Sequence, residues 1–337
     1  MNRRTFAAAT ALVASAALLA GCGGTDDPAE QPTDSQGDWA PVEIEHAFGS
    51  TTIETEPTQV VTLGWGSTEA ALALGVVPVG IETQTYAVDD AGRLPWVSEK
   101  LTEMGAETTM IPATVEEPAY EDIDELEPDL ILAPYSGITA EQYDLLSEIA
   151  PTVAYPEAAW TTPWRDVIDI VGRSLGLGEE ATALVEDLDG ELAAAEQAHP
   201  ELQGLTVAAV WDVGGTFYVY KPADARVDFL LDLGLESAPA VTELDTGGET
   251  FVYGLSYEQT DRLEADILVN YASTDEEAQT FLDQSYAQAI PAVQDGAVAN
   301  VTGDPLVAAM SPPTALSLTW GLQDYVELLS AAAENAS

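Results

Sequence analysis

Lysine occurs twice in the 337 residues, at Lys100 and Lys221, histidine twice, at His46 and His199, and cysteine once, at Cys22. Each scarcity closes off a class of function. Two histidines far apart in the chain do not make the His/Asp/Glu set that holds a bare transition metal, so no protein metal site is expected. One cysteine cannot form an internal disulfide. Nine basic side chains stand against 59 acidic ones, a formal net charge of −50, and such a surface repels nucleic acid and anionic headgroups. We read this balance as an adaptation for solubility in high salt rather than as a ligand-binding feature. Long apolar runs are missing too: Ala7 to Ala20, apolar apart from Thr10 and Ser15, falls short of the ~20 residues a membrane span needs.

That short run follows Arg3, Arg4 and Phe6 and ends Leu19-Ala20-Gly21-Cys22, which reads as an export signal over residues 1–21. Small residues before Cys22 resemble a lipobox, in which the cysteine is acylated and becomes the new N-terminus. A free exported thiol would otherwise be a liability. The paired arginines also resemble a twin-arginine signal, which exports folded chains, although general secretory signals begin with basic residues as well. Removing the signal takes away only Arg3 and Arg4 among the charged residues, leaving 9 − 2 = 7 basic side chains and a formal charge of 7 − 59 = −52. Residues 22–40 are expected to form a flexible tether, because Gly23 to Asp38 carries no large apolar residue to offset the entropy of ordering.

What remains is long enough for two α/β lobes, and nearly half of the chain is apolar. In the first lobe, expected over 41–163, Val60 to Leu63 reads as a buried strand, Ser67 opens a helix that stops at Gly75, and Val76 to Ile81 reads as the next strand. A stretch then occurs that returns later: Tyr120, Glu121, Asp124, Leu126, Glu127 and Asp129 are matched by Tyr257, Glu258, Asp261, Leu263, Glu264 and Asp266, at a constant offset of 257 − 120 = 137 residues. Leu130 to Leu132 returns as Ile267 to Val269. Each copy reads as a short helix followed by a strand, so each lobe is expected to hold a small, mostly parallel sheet flanked by helices. Between the lobes, 164–199 has almost unbroken helical composition and predicts a long connecting spine helix, with the second lobe over 200–337 and a ligand cleft between the two. The aspartates Asp129 and Asp266, just before the repeated strands, read as turn residues.

At this point the chain resembles the helical-spine substrate-binding proteins of ABC importers, which take up ferric siderophores, haem and cobalamin. The resemblance is carried by "PTQVVTLGWGSTEAALALGVVPVG", "IDELEPDLILAPYSGITAEQYDLLSEIAPTVAY", "PWRDVIDIVGRSLG" and "LEADILV", and it is strongest to the iron-siderophore branch. It implies a monomeric, extracytoplasmic, lipid-anchored binding protein without catalytic activity or cofactor, which delivers an Fe3+-siderophore to a permease dimer with its ATPase. In this family a glutamate opening the equivalent helix of each lobe pairs with permease arginines, and those positions fall on Glu121 and Glu258. The physical reading agrees: two acids in first helical turns, on two rigid lobes, form a two-point electrostatic ruler. The alternative is that they are ordinary solvated acids, each exposed pair worth only ~0 to 1 kcal/mol.

Open α/β sheets bind ligands beyond the C-terminal ends of their strands. The aromatic candidates there are Trp65, Tyr86 and Tyr135 in the first lobe and Trp211, Tyr218 and Tyr271 in the second; each is otherwise a core or rim residue. Among the scarce cations, Arg93, Lys221 and Arg226 sit in loop-like segments after strands and suit an anionic ferric catecholate or carboxylate, whereas Arg165, Arg173 and Arg262 read as solvated helix faces. Alternatives are a haem or cobalamin binder on the same fold and, in a different class, a secreted lipoprotein hydrolase. For the latter, Gly254-Leu255-Ser256-Tyr257-Glu258 lacks the final glycine of a nucleophile elbow.

Overall fold

A computed structural model of the protein describes residues 39–113 and 117–336. The expected signal, Cys22 and nearly all of the tether lie outside the described residues. Trp39 belongs to the folded body rather than to the tether: its indole N–H donates to the Ile53 carbonyl at 3.1 Å, and its ring lies against Gly176.

The body opens with a hairpin of β1 (Val42–His46) and β2 (Gly49–Ile53). His46 is consumed there, its ring meeting the Thr51 hydroxyl at 3.0 Å and the Phe48 N–H at 3.2 Å, so it is a structural histidine. A first sheet follows, made of β3 (Val60–Thr62), β4 (Gly80–Glu82), β5 (Thr109–Ile111), β6 (Leu130–Leu132) and β7 (Thr152–Val153). Its spatial order is β5-β4-β3-β6-β7 and every pairing is parallel. Chain order therefore reverses between β3 and β6, the crevice where doubly wound sheets bind ligands. Both faces are covered: Val60, Leu130 and Leu132 enter the main core, while Val61 and Ile131 pack on the opposite side with Ile123 and Leu146. That explains runs of apolar residues without alternation. The strand expected over Val76 to Ile81 begins only at Gly80, because Pro78 has no N–H to pair.

A second sheet holds β8 (Thr206–Val213), β9 (Thr216–Tyr220), β10 (Glu236–Ser237), β11 (Val252–Leu255), β12 (Ile267–Ala272) and β13 (Val298–Thr302). Strands β8, β12 and β13 run parallel, β10 pairs the start of β8, and β9 and β11 run antiparallel on the other edge. Gly214 and Gly215, both at positive φ, make the two-residue turn from β8 to β9.

The segment expected to be one spine helix is two, Trp164–Ser174 and Gly178–Ala198. Gly176, at φ +72°, ends the first in the left-handed conformation that favours glycine. The helices then pack closely, and a Cβ on Gly172 would stand 2.3 Å from that of Ala181. Arg165, expected on a solvated face, instead clamps this region: it contacts Asp189 at 2.6 Å in the second helix and Asp232 at 2.7 Å in the helix Ala225–Asp232.

The doubled sequence has a structural job. Asp129 accepts the N–H and hydroxyl of Thr58 at 2.7 and 2.8 Å and the N–H of Gln59 at 2.9 Å, just before β3. Asp266 accepts the N–H and hydroxyl of Thr206, both at 2.7 Å, at the start of β8. In each half, the aspartate before the repeated strand fastens that strand to its parallel neighbour.

Candidate functional site

The C-terminal ends of β3, β4 and β6 converge on one cleft. Gly64 follows β3 at φ +74°, where a Cβ would come within 2.3 Å of the Tyr135 carbonyl, so only glycine lets the two strand ends close up. Trp65 then donates its backbone N–H to that carbonyl at 2.9 Å and its indole N–H to Pro312 O at 3.0 Å. Its ring lies nearly parallel to that of Tyr86, with centroids 6.1 Å apart. Tyr135 meets Trp160 edge to face at 5.6 Å. Trp160 sits at φ +61° and packs so tightly over Gly137 that a Cβ there would stand 2.4 Å from the indole nitrogen. Arg226, Phe251, Ser311, Pro312 and Gln84 complete a cavity of about 230 Å3.

Arg226 is the charged member of this lining among the described residues. Its guanidinium stacks 4.0 Å over the Tyr220 ring, and its Nε lies 3.0 Å from Oδ1 of Asp224, a side chain fully shut off from solvent. Burial works against the Arg226 charge, but Asp224 and the tyrosines Tyr220, Tyr135 and Tyr271 outweigh it and raise its pKa, so it stays a cation. Burial pushes Asp224 up while Arg226 pulls it back. The Asp224 Oδ1 also caps its helix by accepting the Arg226 backbone N–H at 2.9 Å, whereas Oδ2 has no hydrogen-bond partner among the described residues. Burial pushes the Tyr86 phenol up to about 12, with Arg226 pulling the other way, and raises Tyr135 as well. Both remain neutral hydroxyls at any physiological pH. Beneath the rim, Glu82 accepts the Gly64 N–H at 2.7 Å, and burial raises its pKa.

Of the residues expected from the sequence, Trp65, Tyr86, Tyr135 and Arg226 line the cleft. Trp211, Tyr218 and Tyr271 are not in the lining: they stand side by side across β8, β9 and β12 and pack on the core, with the Tyr271 ring edge-on to Tyr220 beneath Arg226 and its hydroxyl 3.0 Å from that of Tyr325. Lys221 pairs with Asp245 at 2.8 Å, and Arg93 lies 4.0 Å from Asp89; neither is in the cleft lining. Trp160, Phe251 and Gln84 also line the cleft; of these only Gln84 has a signal in the sequence, two residues from Tyr86 on the same strand exit. No group of three or more His, Cys, Asp or Glu side chains among the described residues is placed to hold a metal ion. Glu121 and Glu258 are both exposed, the first in a helix, Tyr120–Asp124, and the second in a 3-10 turn, Tyr257–Arg262.

Residues 60–305 match the model of the periplasmic binding protein family. The chain belongs to that family. It is 34% identical to PiaA of Streptococcus pneumoniae TIGR4, solved in complex with ferrichrome, with a TM-score of 0.81 over 88% of this chain and 100% of that one. It is 29% identical over 204 residues to the probable siderophore-binding lipoprotein YfiY of Bacillus subtilis. That match spans 60% of this chain and 59% of the relative's length. Staphylococcus aureus SirA, solved with staphyloferrin B, shares the fold at a TM-score of 0.66 and 24% identity, over 87% of this chain and 97% of that one. The members of this family and the solved neighbours named here are substrate-binding proteins.

Proposed function

We propose that the protein captures a ferric siderophore in the cleft around Arg226 and hands it to an ABC importer. The observation that carries this reading is the cleft itself: a largely buried guanidinium among Trp65, Tyr86, Tyr135, Trp160 and Phe251. It stands at strand ends, in a chain similar along the whole of a ferrichrome-bound protein. Flat aromatic walls supply contact area for a bulky, rounded chelate, and the guanidinium supplies donors to its oxygens. The iron arrives as cargo, already ligated inside the chelate.

Delivery follows from the rest of the chain. Cys22 carries the lipid that holds the protein at the outer face of the cytoplasmic membrane, after export through the signal of residues 1–21. The halves 41–163 and 200–337 act as two lobes about the connecting helices, and the monomer presents Glu121 and Glu258 to the two permease subunits, which are driven by their ATPase. A titration panel of ferrichrome, a ferric catecholate, haem and cobalamin, read by quenching of tryptophan fluorescence, tests the capture step. Saturable quenching by an iron chelate is expected; a response to haem or cobalamin alone would assign the cleft to another cargo.

A further inference from the structure

The fold does not choose among chelates, since it is shared by proteins solved with ferrichrome and with staphyloferrin B. The charge of this cleft does choose. Arg226 is the charged lining residue, and its charge is already matched by Asp224, 3.0 Å away and wholly buried. The next ionisable group, Glu82, lies against Gly64 of the lining and is acidic. Among the described residues, Lys221 pairs with Asp245, Arg165 with Asp189 and Asp232, Lys100 with Glu103 and Arg173 with Asp169, while Arg93 lies 4.0 Å from Asp89 and Arg262 ends the turn Tyr257–Arg262; none of them lines the cleft. The lining itself offers a polyanion one cation, already paired.

We infer that the cleft is selective for a ferric chelate without net negative charge, of the tris-hydroxamate class, and discriminates against polyanionic catecholate chelates. The inference rests on the ferric-siderophore reading above and narrows it. Three hydroxamates, each having lost one proton, cancel the charge of Fe3+, whereas three catechols, each having lost two, leave a trianion. A trianion entering this cleft would be desolvated against indole, phenol and phenyl rings with no unpaired cation in the lining to compensate it. Drawing Arg226 away from Asp224 to meet the ligand would not help, because it would leave a fully buried carboxylate unpaired. A neutral chelate meets none of these costs. Its apolar flanks fit the rings of Trp65, Tyr86, Tyr135 and Trp160, while its carbonyl and hydroxamate oxygens accept from Arg226 without requiring a full counter-charge.

The test compares ferrichrome, as the neutral probe, with a hexadentate ferric tris-catecholate of similar size, by tryptophan quenching of the full chain at low ionic strength. Ferrichrome is expected to bind at least about 100-fold more tightly. Asp224→Asn leaves Arg226 with an uncompensated charge and should narrow that ratio by about tenfold or more, through tighter binding of the trianion. Gln84→Lys adds a cation to the lining without touching the buried pair, and should narrow the ratio in the same direction even if the Asp224 variant fails to fold. Equal or tighter binding of the catecholate by the unaltered protein would overturn the inference and leave the ferric-siderophore reading intact. Quenching by neither chelate would overturn the inference, and silence toward a ferric carboxylate chelate as well would overturn both.

Discussion

The guanidinium of Arg226 is held by a carboxylate that solvent does not reach: Nε lies 3.0 Å from Oδ1 of Asp224, whose side chain is 0% exposed. Removing one partner strands the other. Arg226→Ala is therefore expected to destabilise the fold by about 3–5 kcal/mol as well as to abolish tight ligand binding. The double variant Asp224→Asn with Arg226→Met should recover most of the stability and none of the binding. Denaturant unfolding alongside ligand titration separates the two effects; a double variant that binds normally would remove Arg226 from the site.

Trp160 rests on Gly137, with no room for a methyl group between them. Gly137→Ala must push the indole away from its edge-to-face contact with Tyr135. Affinity should fall about tenfold or more, and Trp160→Ala should reproduce the loss with little change in melting temperature, since that side chain is 38% exposed. Unchanged affinity in both variants would take Trp160 out of the binding wall.

Glu69 is a buried carboxyl whose pKa burial raises above its ordinary value of 4.5, while the Trp96 indole N–H, 2.9 Å from Oε1, pulls it back. Because the folded state binds this proton more tightly, the stability linked to it is complete below the ordinary value and is lost as pH rises toward the folded pKa. Glu69→Gln removes the charge and keeps an acceptor for Trp96. Its melting temperature should exceed that of the parent near neutrality, and the gap should close in acid. A gap that widened in acid would reverse the sign of the argument.

Asp129 and Asp266 each fasten the start of a strand through charge-assisted hydrogen bonds. Alanine at either position should cost about 1.5–3 kcal/mol of stability, with ligand affinity retained in whatever fraction remains folded. Unfolding titrations check it, and a cost near zero would make the aspartates incidental.

Glu121→Ala and Glu258→Ala should each lower transport in a reconstituted importer, and together lower it much further, while ligand affinity and melting stay near those of the parent. Glu117→Ala, equally acidic and outside the repeat, is the control. Full transport by the double variant would leave the repeat with only the structural role of its aspartates.

The first half of the candidate cleft is legible in the sequence because parallel strands send all their exits to one side: Trp65, Tyr86 and Tyr135 follow β3, β4 and β6 and all line the cavity. In the second half the strand ends do not enter the lining of this cavity. Strand β9 runs antiparallel to β8, so Tyr218 stands opposite Trp211 in a cross-strand row instead of at a shared exit. The cleft there draws on the start of a helix, at Arg226, and on irregular segments, at Phe251, Ser311 and Pro312, for which hydrophobic periodicity has no signal. The doubled stretch was plain at the level of residues, but only coordinates reveal that its aspartates reach 70 and 60 residues back along the chain to close a sheet. The break at Gly176 was visible as a glycine. Its consequence, a packed pair of helices in place of a single spine, depends on Ala181 finding Gly172 without a side chain.

Trp65, near the beginning of the body, donates its indole N–H to Pro312, 247 residues later, and Trp96 packs on Trp320. The ribosome makes the first sheet and its aromatic wall long before the segment that braces them. The first wall of the cleft is thus pinned from far along the chain, so loss of residues 310–320 should loosen Trp65 and Trp96 although β3 and its neighbours are untouched.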